Sequence, residues 1–502
     1  MGRYGKQLGR GGFRNTGNIA IEPLEHRLLL TGDTVAPIDI VQAEQKIGEM
    51  KDYFDQIMVS LHPTFVESSL QTGTDGVRLY NLQLALDGVL SMYEATGDRD
   101  TLDMGLVYVQ NVVDSARIIE GGSHERDGFK DWEVTSGGGP RARREGLFLY
   151  DFQFGSAMSR LARIIHEDAR LQSDTELQAF GDELTQFIDQ HIVYKWLDAR
   201  NQRPWLIDFH DNGGFWNDKA THTVTTCHNM QAILGDASSC AGIEETLATH
   251  FKSLLVLQND GSYTWDIWSS LPPNSNHHSA PDTSHENRVA TMITRLAADG
   301  FVFDSTDVQR LSRTFTERIW NGRTDWEANP GIQDSPWFHN YIDGSDEPYR
   351  TYVNADGTEG MNGFVYDGWI RLGEFDGEAQ AAGEALLGFV QSFGSNINAI
   401  RQRNGSSYGR VMLAGNLARN LRFTVDRQDV PSGVVSAQLR AANLTGDLDR
   451  DGTTGYSDFL VLSANFGAKD TNHELGDLDR DGVVGFSDFL ILSASFSTSG
   501  NR

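Results

Sequence analysis

Cysteine is nearly absent from this chain: its 502 residues hold two, Cys227 and Cys240. That scarcity excludes a disulfide-framework fold and any four-cysteine zinc centre. Thirteen residues apart, the pair either closes one short loop in an oxidising compartment or stands as two separate thiols. Long apolar runs are missing too. No stretch of about 18 uninterrupted apolar residues occurs, so no membrane-spanning helix is expected. Basic residues are outnumbered, 42 against 70 acidic, for a net charge of −28. Such a chain repels phosphate backbones and anionic lipid, which argues against general nucleic-acid binding. Strand-like alternation is scarce, and neither a Gly-rich phosphate loop nor an HExxH zinc motif is present. What the chain does have is apolar material. Hydrophobic residues make up 39% and aromatics 10%, with 10 Trp and 26 Phe, enough for a sizeable core.

Apolar residues recur at helical spacing through the middle of the chain. In residues 78–95, Leu79, Leu82, Leu86, Val89, Leu90 and Tyr93 fall at three- and four-residue steps. The run Thr96-Gly97-Asp98-Arg99-Asp100 reads as a glycine stop followed by a new helix start. A second helix follows over 101–118. Further helices are expected near 146–166, 176–197, 223–235, 242–257, 286–299, 306–320, 361–373, 376–393 and 408–420. Long loops rich in Gly, Asp, Asn, Trp and His separate them. The fold class is therefore mainly α.

The C-terminus holds an internal duplication. Residues 446–467 (GDLDRDGTTGYSDFLVLSANFG) and 476–497 (GDLDRDGVVGFSDFLILSASFS) are identical at 16 of 22 positions, with a period of 30. Each copy places Asp at loop positions 1, 3, 5 and 12 and Gly at 6. These are Asp447, Asp449, Asp451, Gly452 and Asp458, then Asp477, Asp479, Asp481, Gly482 and Asp488. Alternate carboxylates point inward on a tight loop and suit a hard cation that takes six to eight oxygens, so two Ca²⁺ ions are expected. Position 7, Thr453 and Val483, would add a backbone carbonyl. The alternative is a solvated acidic repeat without metal.

Asp rather than Glu at position 12, in a duplicated loop-helix with no full entering helix, resembles a type I dockerin. The resemblance implies tethering of a secreted protein to a cohesin-bearing scaffold or a cell surface. At the other end, Leu24-Glu25-His26-Arg27-Leu28-Leu29-Leu30 resembles the Leu-Glu-Pro-Arg-Leu-Leu-Leu leader of large exported proteins in certain bacteria, with His26 in place of Pro. A disordered tail with a short apolar patch is the other reading. The paired helices, and the junction YEATGDRDTLDMGLVYVQNVV, resemble (α/α)-barrel carbohydrate-active enzymes. That resemblance implies an (α/α) toroid; a helical solenoid used only for binding is the runner-up. The expected organisation is a leader over 1–35, a catalytic toroid over 36–430, a linker over 431–445 and a dockerin over 446–502. Its calcium loops would be 447–458 and 477–488.

Three loops share one composition. One carries Trp205, Asp208, His210, Asp211, Trp216, His222, His228 and Asn229. The next carries Tyr263, Trp265, Trp268, His277, His278, Asp282, His285, Glu286 and Arg288. The third carries Trp337, His339, Tyr341, Asp343, Tyr352 and Tyr366, and an earlier stretch supplies Arg141, Arg143 and Arg144. Flat Trp faces stack on sugar rings, so Trp205, Trp216, Trp265, Trp268 and Trp337, with Arg141 and Arg144, are candidate substrate contacts. β-Elimination on a uronate polymer needs a neutralised carboxylate, a base and an acid. His228, Asn229, His285 and Arg288 are candidates for neutralisation, and Tyr263 or Tyr341 for base and acid. Glycoside hydrolysis instead needs two carboxyl groups, for which Asp208, Asp211, Asp282 and Glu286 are available. A non-catalytic glycan-binding component is the third reading.

Overall fold

A computed structural model describes residues 40–118, 128–133, 140–197, 217–240, 242–266, 280–326, 335–346, 363–393, 405–429 and 456–469, and a few positions between 476 and 492. The described chain is mainly helical. It divides into two compact units, 1–423 and 424–502.

In the first unit, helices come in pairs. They are α1 (Ile40–Leu70) and α2 (Arg78–Thr96), α3 (Arg99–Ser115) and α4 (Pro140–Glu167), α5 (Thr175–Ile188) and α6 (Asn217–Leu234). There follow α7 (Ile243–Leu254) and α8 (Asn287–Ala298), α9 (Ser305–Arg313) and α10 (Gly368–Arg371), α11 (Gly377–Phe393) and α12 (Ser407–Asp429). Two short strands, β1 (Val256–Leu257) and β2 (Tyr263–Thr264), pair antiparallel between α7 and α8.

The two sets bury different amounts of surface. Odd-numbered α1, α3, α7 and α9 each bury one stripe. In α1 this is Ala43, Ile47, Met50, Phe54, Ile57, Met58, Leu61 and Phe65, at three- and four-residue steps. Even-numbered helices are buried nearly all round, as in α8, where only Arg295 of twelve residues escapes full burial. The even helices therefore form the inner layer. Along that layer α2 packs on α4, α4 on α6, α6 on α8 and α8 on α10. The Asn420 side chain of α12 donates to the Ile370 carbonyl of α10 at 2.7 Å. α12 then returns to α2: Ser91 Oγ donates to Asn416 Oδ1 at 2.8 Å. Two glycines permit this approach, since a Cβ on Gly415 would lie 2.3 Å from the Gly88 carbonyl oxygen.

After the short α1–α2 turn, connections alternate in length. Turns from an even helix to the next odd one are short. The first is set by Gly97 at φ 68°, whose N–H returns to the Tyr93 carbonyl, and by Asp98, which caps α3. Every longer connection instead leads into an even helix. Short turns join antiparallel neighbours, so the even helices all begin at the same end.

The helices lie close to where the periodicity predicts them, with one addition, and the helix expected over 242–257 stops at Leu254 because Val256–Leu257 pairs as β1. α1 spans 31 residues with Pro63 inside it, and no helix is expected there from the pattern reading. Residues 361–373 also differ. The helix begins only at Gly368, because 363–367 runs as irregular chain and turn. There the Phe364 carbonyl accepts from Asn287 Nδ2 at 2.6 Å. Cys227 and Cys240 form a disulfide that ties α6 to the turn before α7, which decides between the two readings of the pair.

The second unit contains α13 (Tyr456–Ala464). Leu462, Val484 and Leu492 form its buried core, with Phe459, Val461 and Phe489 packed against it.

Candidate active site

Where the even helices begin, polar side chains converge. Arg288, one residue into α8, donates from Nη2 to the Tyr80 phenol oxygen on α2 at 2.6 Å. Its guanidinium also lies over the Tyr80 ring, 5.3 Å from the centroid. Tyr150 of α4 meets the Tyr80 ring edge-to-face, with centroids 6.3 Å apart. Gln153, one turn further along α4, donates to the Tyr80 carbonyl at 2.9 Å and fixes that part of α2. On α6, His222 sits with Nδ1 3.3 Å from Ser156 Oγ of α4. Burial holds the His222 imidazole well below the usual histidine range, and nearby Arg288 and Arg295 push the same way while Asp87 opposes.

Beneath this cluster runs a buried charge network. Asp87 on α2 accepts from Arg160 on α4 and from Arg295 on α8, both at 2.8 Å, and from Gln83. Glu94 accepts from Arg160 at 2.9 Å and from Arg419 of α12 at 2.5 Å; Arg419 also reaches Glu374 at 2.7 Å. Burial alone would raise both acids, yet Arg295 and Arg160 hold Asp87 down, and Arg160 and Arg419 hold Glu94 down. The network joins α2, α4, α8 and α12 and sets the floor on which the upper cluster stands.

The sequence candidates fall into several places. Asp282 brings two of them to itself. It accepts from His285 Nδ1 at 2.6 Å and forms a β-bridge with Tyr341. Residues 283–286 form a turn, and α8 starts at Asn287, so Asp282 stabilises that turn through Ser284 and the His285 N–H rather than capping the helix. His228 lies elsewhere. Its Nε2 pairs with Asp299 at 2.7 Å, at the end of α8 opposite Arg288, and eleven residues of helix put about 16 Å between them. Asn229 donates to Ser159 Oγ at 3.0 Å and straps α6 to α4. The Tyr263 phenol bonds Asp307 and accepts from Arg310, both on α9, at 2.9 Å.

Trp265 is a core residue. It is 2% exposed, donates to Glu286 Oε2 at 2.7 Å and stacks 6.4 Å from Trp369. Trp337 is half-buried, its backbone paired with Asn321. Trp205, Trp216 and Trp268 lie outside the described residues, as do the side chains of Arg141 and Arg144.

Of the calcium candidates, Asp447, Asp449, Asp451, Thr453, Asp477, Asp479 and Asp481 lie outside the described residues, and so does the side chain of Asp458. Val483 forms a β-bridge with Lys469. Asp488 is fully buried and accepts from the Gly485 N–H at 2.6 Å, which holds the end of the loop against the Leu462–Val484 core. Among the described residues, Cys227, Cys240 and Glu244 make a three-residue grouping of metal-ligand type, but the two sulfurs are bonded to each other.

No family model, curated protein or solved structure matches the chain.

Sequence reasoning missed Tyr80, Tyr150, Gln153 and the network acids and arginines. Tyr80 and Asp87 sit in a run whose apolar period reads as plain core. The available signal is a charged residue on a helix that is otherwise apolar all round. Asp87, Glu94, Arg160, Arg295 and Arg419 each break such a pattern, and each finds its opposite charge on another helix.

Proposed function

We propose that this chain is an exported enzyme that cleaves a uronic-acid-containing polysaccharide by β-elimination on an (α/α) toroid. In this reading the even helices line the toroid and the odd helices surround it. The observation that carries the reaction is the Arg288–Tyr80 pair with Tyr150 beside it, at the end where α2 and α8 begin. A guanidinium there binds the uronate carboxylate and neutralises it, which acidifies the C5 proton and stabilises the charge that develops when the proton leaves. A phenol whose oxygen already accepts from the guanidinium keeps its own O–H to protonate the departing glycosidic oxygen.

The hydrolase reading is less well supported. It needs two carboxyl groups facing one bond. Asp282 is engaged by Ser284 and His285, and Glu286 by the Trp265 indole. Asp208 and Asp211 lie outside the described residues. A disulfide in a chain with two cysteines favours an oxidising compartment and so supports export.

The second unit we read as a type I dockerin-like pair that binds cohesin on a scaffold or cell surface. Its donor set suits Ca²⁺: carboxylates at 1, 3, 5 and 12 in both copies, with the last acid of copy two already fixed at the loop end. Bound there, Ca²⁺ would organise the loops and take no part in the sugar chemistry.

The test is a substrate screen on the full chain against alginate, glucuronan, pectate, glycosaminoglycans and neutral glycans. Ultraviolet absorbance of unsaturated uronate is followed beside reducing ends. Both rising together supports the lyase. Reducing ends alone would favour the hydrolase, and binding without either product a glycan-binding component.

A further inference from the structure

We propose that His222 is the base that removes the C5 proton, held in its Nδ1–H tautomer by Ser156; the proposal rests on the lyase reading. The argument begins with one proton. Ser156 Oγ donates its single hydrogen to the Gln153 carbonyl at 2.8 Å. Towards His222, 3.3 Å away, the same oxygen has only lone pairs to offer. The hydrogen between them therefore belongs to the imidazole, on Nδ1. In a neutral ring that leaves Nε2 as a bare lone pair, and Nε2 has no hydrogen-bond partner among the described residues.

The charges around the ring favour this state. Arg288 and Arg295 approach from α8 and disfavour the imidazolium, while Asp87 of α2 favours it. The two arginines, with burial, outweigh the single acid, whose own charge is already shared by Arg160 and Arg295. A neutral imidazole beside a carboxylate-binding guanidinium is what proton abstraction α to a uronate carboxyl requires. Ser156 is a positioning residue, since it acts only through the ring.

The step balances without a co-reactant. Nε2 takes the C5 proton, the C5–H electron pair becomes the C4–C5 double bond, and the C4–O pair leaves with the glycosidic oxygen. Tyr80 protonates that oxygen. The imidazolium then returns a proton to the phenolate through solvent. Because Nε2 is covered by its neighbours, substrate must part those side chains to reach it, and the experiment includes that requirement.

The full chain labelled with ¹⁵N-histidine gives the tautomer from two-bond nitrogen–proton correlations, with His222 assigned by the loss of its signals in His222→Gln. The expected result is an Nδ1-protonated neutral ring, still neutral below the ordinary histidine midpoint of about 6.5. Its Nε2 shift should move when a uronate oligosaccharide is added. Ser156→Ala should mix the tautomers and lower kcat while leaving KM unchanged. His222→Gln should lower kcat by about 10²–10⁴-fold with the circular dichroism of the fold retained. An Nε2–H tautomer, a charged ring at neutral pH, or a signal that substrate does not move overturns the proposal. So does undiminished activity of His222→Gln in an active wild-type background. Silence of the wild-type chain on every uronate overturns the lyase reading itself, and this role with it.

Discussion

The Arg288 guanidinium both lies across the Tyr80 ring and donates to its oxygen, so one side chain fixes the other in place and in hydrogen-bond direction. A lysine could supply the charge but neither the planar stack nor the fork. Arg288→Lys is therefore expected to lower kcat/KM on a uronate polymer by about 10²–10³-fold, the usual loss for one charge-stabilising donor, with thermal unfolding little changed. Steady-state absorbance assays on the purified variant check this.

Asp87→Asn tests the floor of the site. The variant leaves Arg160 and Arg295 buried against a neutral amide. Removing one partner of a buried ion cluster costs about 3–5 kcal/mol, which denaturant unfolding would read directly. A loss below about 1 kcal/mol would show that the arginines find other partners.

The pH dependence has two limbs of opposite sign. Asp87 and Glu94 are held below their unfolded values by arginines that outweigh burial. Their contribution is fully present above about pH 4 and is lost as pH falls through the folded values, so acid should destabilise the fold. Asp151 behaves in the opposite way. Burial raises it to about 7, opposed by Lys195 and assisted by Asp131. From about pH 4 to its folded value the native chain holds a proton that the unfolded chain has released, so stability falls as pH rises across that window. Asp151→Asn should flatten that limb and leave the acid limb alone, as measured by unfolding midpoints across pH.

Much of this fold was legible in advance, and most of the site was not. Helices over 78–96 and 99–115 follow from apolar spacing and from Gly97 and Asp98, which act within a few residues of themselves. Which inner helices share a charge depends on contacts such as Glu94 with Arg419, 325 residues apart, and no local pattern records them. Arg288 was found because it stands in a loop-to-helix junction dense in polar residues. Its partner Tyr80 was missed because it sits two residues into an apolar helix and reads as core. Trp265 misled for the converse reason: its loop composition suggests a sugar platform, while its indole serves Glu286 and the core.

The disulfide closes a loop of thirteen residues, and a loop of that size removes about 3 kcal/mol worth of unfolded-state freedom. The double variant Cys227→Ala, Cys240→Ala should lose roughly that much stability in calorimetric or denaturant unfolding, near 3 kcal/mol. A change near zero would mean that the α6–α7 turn is held by packing alone.

Calcium binding is checked by calorimetric titration of the full chain. Asp447→Ala with Asp477→Ala removes the first proposed ligand of both loops and should abolish tight Ca²⁺ binding. Unchanged binding would refute the assignment of these positions.

The return of α12 to α2 has a consequence for how the chain is made. Ser91 waits for Asn416, 325 residues later, and Glu44 for Arg422. At about 5–20 residues per second, the first inner helix exists for roughly 16–65 s before its last neighbour is synthesised. Through that interval Gly88 and the apolar flank around it face no partner. The nascent chain therefore has to be kept from aggregating until nearly the whole first unit has been translated, and a stop codon placed anywhere before residue 407 would leave that flank permanently open.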